Sequence, residues 1–330
     1  MTAHRLKSAA AITAFGAYVP ERILTNGDLE RMVDTSDEWI VQRTGIKERR
    51  IAAEEEYCSD LCFAAVRDMQ QRYGVELSDV DYVLVATTTP DTFFPSMAAR
   101  VQAEFGIASC GAADIQAACA GFVSGLQLAN GLLLSGAYRK ILVIGADALS
   151  KATDYTDRTT CILFGDGAGA ALVEFREDGS FLASYNSTQG GSGQHLYRSS
   201  LAPTIGDMPI EMNGKIVQNG REVYRWAVHA VTAGIGELFA ECGLTTADID
   251  WFVPHSANKR IVESVCERSG ISLERTLLSV EQYGNTSAAS IPLALDLALK
   301  DGRIHTGDTM LLYGFGGGLT ESALLLHWTL

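Results

Sequence analysis

The feature that most constrains this chain is an echo of itself at about half its length. Residues 74–85 read Gly-Val-Glu-Leu-Ser-Asp-Val-Asp-Tyr-Val-Leu-Val, and residues 243–254 read Gly-Leu-Thr-Thr-Ala-Asp-Ile-Asp-Trp-Phe-Val-Pro. Each copy reads as a helix end, a turn and a buried strand. A second echo follows each. Cys119 opens the small, apolar run Ala120–Gly136 before the strand Lys140–Gly145, and Asn285 opens Thr286–Gly302 before Thr309–Gly314. The offsets stay between 166 and 169 residues, so one motif repeated by chance explains them poorly. The chain reads as two copies of one α/β unit: residues 1–180, holding Cys119, and residues 181–330.

The runs after Cys119 and Asn285 are apolar on nearly every side, with Phe122, Leu126 and Leu128 in one and Ile291, Leu293 and Leu295 in the other. A helix of that kind must be buried all round. Ser290 with Pro292 close behind reads as a helix start, where proline's missing donor is not needed. Two such helices, each followed by an apolar strand, predict helices sandwiched between sheets. The Gly-, Ser- and Asn-rich stretch 186–221 is too long for a simple connection and reads as functional.

Composition narrows the function. With 26 basic against 40 acidic side chains the formal charge is −14. Phosphate backbones need a basic field, so nucleic acid is excluded as a general partner, and an acidic partner would need a local basic patch. Seven cysteines with no CxxC read neither as a disulfide framework nor as a zinc site, and fit a reducing cytoplasm. No metal is expected. Arg5 and Lys7 ahead of Ala9–Val19 imitate a secretion leader, but the alternation and the presence of Thr13 and Gly16 read as a strand. No apolar run reaches the about 18 residues of a membrane helix, so membrane insertion is not expected.

Three residues stand out as chemistry. Cys119 directly precedes a buried helix, where the backbone dipole favours a thiolate nucleophile; the bland alternative is a small core residue. His255 follows the strand that ends at Pro254, the end of a strand where α/β folds put chemistry, and Asn258 lies three residues on. Asn285 alone reads as a turn or cap residue. The repeat changes that: by the echo, Cys119 and Asn285 occupy equivalent helix starts, and a pseudo-twofold axis would bring nucleophile, histidine and amide to one buried site. The glycine-rich runs Phe164–Ala170 and Gly314–Gly318 lack the spacing of a nucleotide fingerprint and read as close-packing backbone, the second able to aim an N–H at an oxyanion.

With those residues in place the chain resembles the β-ketoacyl-acyl-carrier-protein synthase III family of the thiolase superfamily, essentially end to end. The resemblance rests on Thr35–Ile46, Thr87–Asp91, Phe94–Ser96, the Cys119 motif, Thr156–Arg158, Phe164–Gly169, Pro254–Asn258, Tyr283–Ser290 and Gly314–Thr320, in order and at the family's spacing. The stretch Val217–Tyr224 and the serine at 256 look most like forms from Gram-positive bacilli. The resemblance implies a five-layered α/β/α/β/α thiolase fold, a cytoplasmic homodimer, no cofactor, and a Cys119–His255–Asn285 triad. It implies that acyl-CoA, acetyl or short branched, acylates Cys119, and that malonyl-acyl-carrier protein then condenses with loss of CO2.

By the same resemblance Trp39, Arg43 and Arg158 meet the CoA adenine and phosphates, with the purine stacked between Trp39 and Arg158. Asn258 orients the pantetheine arm, Gly316 lends an oxyanion donor, and Phe94 closes an acyl pocket, that of a partner subunit being one option. Ser256 with the basic Arg225, Lys259, Arg260 and Arg268 would dock the acidic carrier protein. Ser256, Lys259 and Glu321 depart from the family's usual glutamine, aliphatic and aromatic residues. Three rivals stand beside this reading: a relative using another acyl acceptor, a non-catalytic scaffold, and a cysteine hydrolase. The first would be acylated but fail with malonyl-carrier protein, and the second would need a dead triad.

Overall fold

The computed structural model describes residues 3–330. Two five-stranded mixed sheets carry the repeat. The first runs Ala10–Tyr18, Asp166–Phe175, Lys140–Ala148, Tyr82–Ala86, Gly111–Ile115 in spatial order. The second runs Ala3–Arg5, Phe181–Thr188, Thr320–His327, Thr309–Gly316, Trp251–Pro254. Strand direction repeats as well: Lys140–Ala148 is parallel to Tyr82–Ala86 and antiparallel to Asp166–Phe175, as Thr309–Gly316 is parallel to Trp251–Pro254 and antiparallel to Thr320–His327. The parallel strands are apolar over most of their length because both faces are covered.

Five layers result. Cys58–Tyr73 packs on the outer face of the first sheet, Gly220–Cys242 on that of the second, and Gly121–Leu134 and Ser290–Lys300 lie between the sheets. The core between the sheets joins Phe122, Leu126 and Leu133 from one central helix to Ile291 and Leu295 from the other, with Val143 and Leu312 from the two sheets. The outer helices end alike, on Gly74 at φ 63° and Gly243 at φ 65°, left-handed positions that glycine fills without penalty. The stretch Ala9–Val19 contains the strand Ala10–Tyr18.

Three expectations need adjusting. The central helix Gly121–Leu134 is not buried all round, since Leu128 is 51% and Leu134 38% exposed. On the same helix Gly125 lies against Ile115 of the edge strand Gly111–Ile115, whose outer side has no strand beside it among the described residues. The 186–221 stretch is folded: a turn at Gly190–His195 leads to the short pairs Leu196–Arg198 with Ile216–Gln218 and Thr204–Ile205 with Met208–Pro209. Cys119 and Asn285 are also not equivalent positions. The 3-10 turn Ala118–Ala120 corresponds to Ser287–Ala289, so Cys119 matches Ala288, while Asn285 lies ahead of its turn in extended backbone paired with Phe164.

Candidate active site

The two turns meet where the central helices begin. Ala118 (φ 44°) and Ser287 (φ 50°) hold left-handed backbone that residues with a Cβ seldom adopt, and they occupy the same place in the two halves. Such strain persists only where surrounding structure fixes it. Asp147, fully buried at the end of its strand, supplies part of that hold. Its Oδ1 accepts from the Thr88 N–H at 2.8 Å and from the Thr87, Thr88 and Thr89 hydroxyls, and its Oδ2 accepts from the Ala288 N–H at 3.3 Å. One carboxylate thus ties the Thr87–Thr89 loop of the first half to the turn of the second.

Cys119, 9% exposed, lines a cavity of about 720 Å³ together with His255 (1%) and Asn285 (7%). Phe315, Gly316, Phe93 and the folded stretch around Leu196–Ser199 complete parts of its wall. The expectation of a lowered thiol pKa is reversed. Burial pushes Cys119 up to about 12, the nearby Asp147 charge adds to that, and a hydrogen bond with Ser287 and the residue's own backbone N–H work against it. The sulfur therefore rests as a thiol. Gly316 is packed on it so closely that a Cβ there would fall 2.9 Å from Sγ.

His255 follows its strand and is anchored by its N–H to the Tyr313 carbonyl at 2.8 Å. Its Nδ1 meets Ser290 Oγ at 2.6 Å, and the ring stands edge-on to Phe315 with centroids 5.2 Å apart. Burial lowers its pKa to about 3, so the imidazole is neutral at any ordinary pH. Asn285 is held by its backbone: its N–H donates to Leu163 O at 2.9 Å and its carbonyl accepts from the Gly165 N–H at 3.0 Å. Its Oδ1 accepts from the Ser287 N–H at 2.9 Å, which fixes the amide so that the NH₂ is the free end. A thiol and an amide donor thus share one buried chamber with a neutral imidazole.

At the cavity mouth Trp39 and Arg43 line the wall, and both Arg43 and Arg158 lie near the indole, at 5.9 and 5.5 Å from its centre. The roughly 7 Å that a purine stacked between Trp39 and Arg158 would need, two van der Waals contacts, exceeds the present spacing. Arg158 is held by a bond to the Asp34 carbonyl at 2.9 Å. Asn258 lines the cavity while capping the helix Lys259–Ser269, with Oδ1 accepting from Arg260 N–H and Nδ2 donating to Arg43 O.

Other positions differ from expectation. Phe94 is 87% exposed and outside this chain's cavity, whereas its neighbour Phe93 lines it. Ser256 is fully buried, its Oγ accepting from the Ser279 N–H at 3.0 Å, so it offers no surface to a carrier protein. Lys259 is paired with Glu281 at 2.6 Å, a carboxylate that Lys47 also holds at 2.9 Å. Arg225 pairs with Glu222, while exposed Arg260 and Arg268 carry no ion pair among the described residues. Glu321 is buried and accepts from the Tyr313 hydroxyl at 2.8 Å and the Tyr185 hydroxyl at 3.3 Å.

Sequence reasoning passed over Ser287 and Asp147 and read Ser290 only as a helix start. Ser287 and Ser290 lie inside the quoted Tyr283–Ser290 motif, but their partners are distant in the chain.

Duplicated layers around one buried cysteine, with a neutral histidine and an oriented amide beside it, define a thiolase-fold, acyl-transferring condensing enzyme. Family models agree: that of 3-oxoacyl-[acyl-carrier-protein (ACP)] synthase III matches residues 113–190, and that of its C-terminal part matches 239–328. The chain belongs to the 3-oxoacyl-[acyl-carrier-protein] synthase III family. It is 56% identical over 326 residues to a β-ketoacyl-[acyl-carrier-protein] synthase III 2 of Bacillus anthracis, covering 98% of this chain and 100% of that one. A Bacillus subtilis protein of the same name is 57% identical over 322 residues, covering 97% and 99%. Among solved structures, β-ketoacyl-[acyl carrier protein] synthase III of Thermus thermophilus superposes with a TM-score of 0.93 at 48% identity, covering 96% of this chain and 99% of that one.

Proposed function

We propose that this enzyme starts fatty-acid chains, with the half spanning residues 1–180 supplying the nucleophile and the half spanning 181–330 supplying both hydrogen-bond donors. The observation that carries the reading is one buried chamber holding a thiol and an amide fixed as donor. In the first step Cys119 Sγ attacks the thioester of a short acyl-CoA. The C–S bond to CoA breaks, and the thiol proton ends on the departing CoA sulfur. The backbone N–H groups of Cys119 and Gly316 are the proposed oxyanion donors.

In the second step malonyl-acyl-carrier protein loses CO2. The electron pair of the breaking C–C bond passes into an enolate whose oxygen accepts hydrogen bonds from His255 and Asn285. Its carbon attacks the acyl carbonyl, the C–S bond to Cys119 breaks, and the departing sulfur takes a proton from water, giving 3-oxoacyl-carrier protein and the resting thiol. Each such donor is commonly worth about 10²–10³ in rate. The negative charge falls on N–H groups throughout, so the proposed cycle calls for no metal or cofactor.

Trp39, Arg43 and Arg158 at the mouth suit an adenine and phosphates, and Asn258 the pantetheine arm. For the acidic carrier protein the unpaired Arg260 and Arg268 are the better candidates, with Arg225 beside them. We place the enzyme in the cytoplasm as a homodimer. A second copy would cover the open edge of Gly111–Ile115, and the exposed Phe94 would then serve the partner's cavity. The bacillus-type detail favours branched primers beside acetyl-CoA. Intact mass after incubation with acetyl-, isobutyryl-, isovaleryl- and 2-methylbutyryl-CoA tests the reading: one acyl adduct per chain, absent in Cys119→Ser, is expected. No adduct with any of them would overturn it.

A further inference from the structure

The reaction as proposed needs His255 to donate from its cavity-facing nitrogen, and a neutral imidazole has one N–H to place. His255 lines the cavity, and its Nδ1 edge is turned into buried Ser290, which leaves Nε2 toward the chamber. Nε2 has no hydrogen-bond partner among the described residues. If the ring proton sat on Nδ1, Nε2 would present a lone pair to the developing enolate and repel it.

Ser290 decides between the two forms. It is the first residue of the central helix Ser290–Lys300 and is fully buried. Its hydroxyl touches two partners: the Ser256 N–H, which donates to it at 3.3 Å, and His255 Nδ1 at 2.6 Å. A backbone N–H can only donate, so the serine oxygen is the acceptor of that bond. The hydroxyl proton then has Nδ1 as its one acceptor, and a buried hydroxyl left without an acceptor is costly. The alternative form, Nδ1–H donating to Oγ, would strand it. The helix itself points the same way, since its N-terminal end is electropositive and disfavours a proton on the adjoining nitrogen. The serine is braced in turn: the Ser279 hydroxyl donates to Ser290 O at 3.1 Å, and Ser279 N–H donates to Ser256 Oγ at 3.0 Å.

We infer that Ser290 is a positioning residue for the condensation step: its hydroxyl donates to His255 Nδ1 and so keeps the ring proton on Nε2, where the malonyl thioester oxygen is stabilised. This rests on the reading of His255 as donor in the second half-reaction. It separates the half-reactions, because thioester exchange at Cys119 carries its proton to the CoA sulfur without calling on His255.

The test is the two-bond proton–nitrogen spectrum of ¹⁵N-histidine-labelled enzyme, with the His255 signals identified by their loss in His255→Asn. Wild type is expected to show a neutral ring protonated on Nε2. In Ser290→Ala the ratio of Nδ1- to Nε2-protonated ring should rise about tenfold, the factor one net hydrogen bond supplies, with single-turnover condensation slowed in proportion to the lost Nε2-protonated fraction, by at most about tenfold, and acylation by acetyl-CoA unchanged. Ser290→Thr, which keeps the hydroxyl, should restore both tautomer and rate. A wild-type ring protonated on Nδ1 would overturn the inference, and that measurement does not depend on any Ser290 variant folding. An unchanged tautomer in Ser290→Ala, or equal losses in both half-reactions, would overturn it too. If the wild-type tautomer is as inferred but His255→Ala condenses normally, the donor role of His255 fails while the hold of Ser290 on the ring stands.

Discussion

Asn285→Asp isolates the amide's part in the reaction, because it keeps the shape and removes one function. The Oδ1 that accepts from Ser287 N–H at 2.9 Å is retained, so the turn carrying Ser287 and Ala288 keeps its tie. The free NH₂ becomes an oxygen. Loss of one oriented donor to a developing oxyanion costs about 10²–10³ in rate, or about 2.7–4 kcal/mol. A carboxylate beside an enolate adds repulsion to that. Condensation should therefore fall at least about 10²-fold, while acylation of Cys119 stays within about threefold. Rapid-quench single turnovers would measure both, with acyl-enzyme followed by intact mass and product by chromatography of the carrier protein. The site is only 7% exposed, so a carboxyl there has a raised pKa; as a protonated acid it regains a donor. The deficit should accordingly shrink on acidification. A condensation rate within tenfold of wild type, or equal losses in both steps, would refute the assignment.

Burial of Cys119 gives a second expectation. With its pKa raised to about 12, the thiolate fraction grows tenfold per pH unit across the neutral range, so alkylation by iodoacetamide should rise with unit slope from pH 6.5 to 9.5. A plateau near neutrality would contradict the raised value. Gly316→Ala puts a methyl 2.9 Å from Sγ and should abolish acylation while thermal unfolding shows an intact fold; normal acylation would remove Gly316 from the site. Arg158→Ala should raise KM for acyl-CoA about fivefold to twentyfold with little change in condensation of preformed acyl-enzyme. An unchanged KM would move the adenine elsewhere.

What the sequence made legible followed from local spacing. The repeat showed because each half spends the same number of residues between the glycine that ends its outer helix and its parallel strands, and Gly74 and Gly243 mark that register directly. Cys119 stood out because it directly precedes an apolar helix, and His255 because it follows an apolar strand pattern. The pairing of Cys119 with Asn285 as equivalent helix starts was off by three residues, since the helices align through Ala118–Ala120 and Ser287–Ala289. A sequence echo cannot tell an extended approach from the turn it leads into. Ser256 and Lys259 illustrate the other gap. Both lie in a polar stretch that reads as surface, yet one is buried against Ser279 and the other neutralised by Glu281. Asp147 and Ser287 act across contacts between the halves, and Ser290 through partners 11 to 35 residues away in its own half, none of which a local pattern records. Glu321 reads as a polar intrusion into a strand and becomes intelligible only with Tyr185 and Tyr313 around its carboxyl.

The central claim is that one cysteine carries the acyl group from CoA to a malonyl-derived carbanion. Acyl-enzyme freed of CoA, mixed with malonyl-acyl-carrier protein in a single turnover, tests it most directly. The account predicts loss of the Cys119 adduct with one CO2 and one 3-oxoacyl-carrier protein formed per adduct, in step with each other. An adduct that persists, or that clears to free acid without CO2, would contradict it.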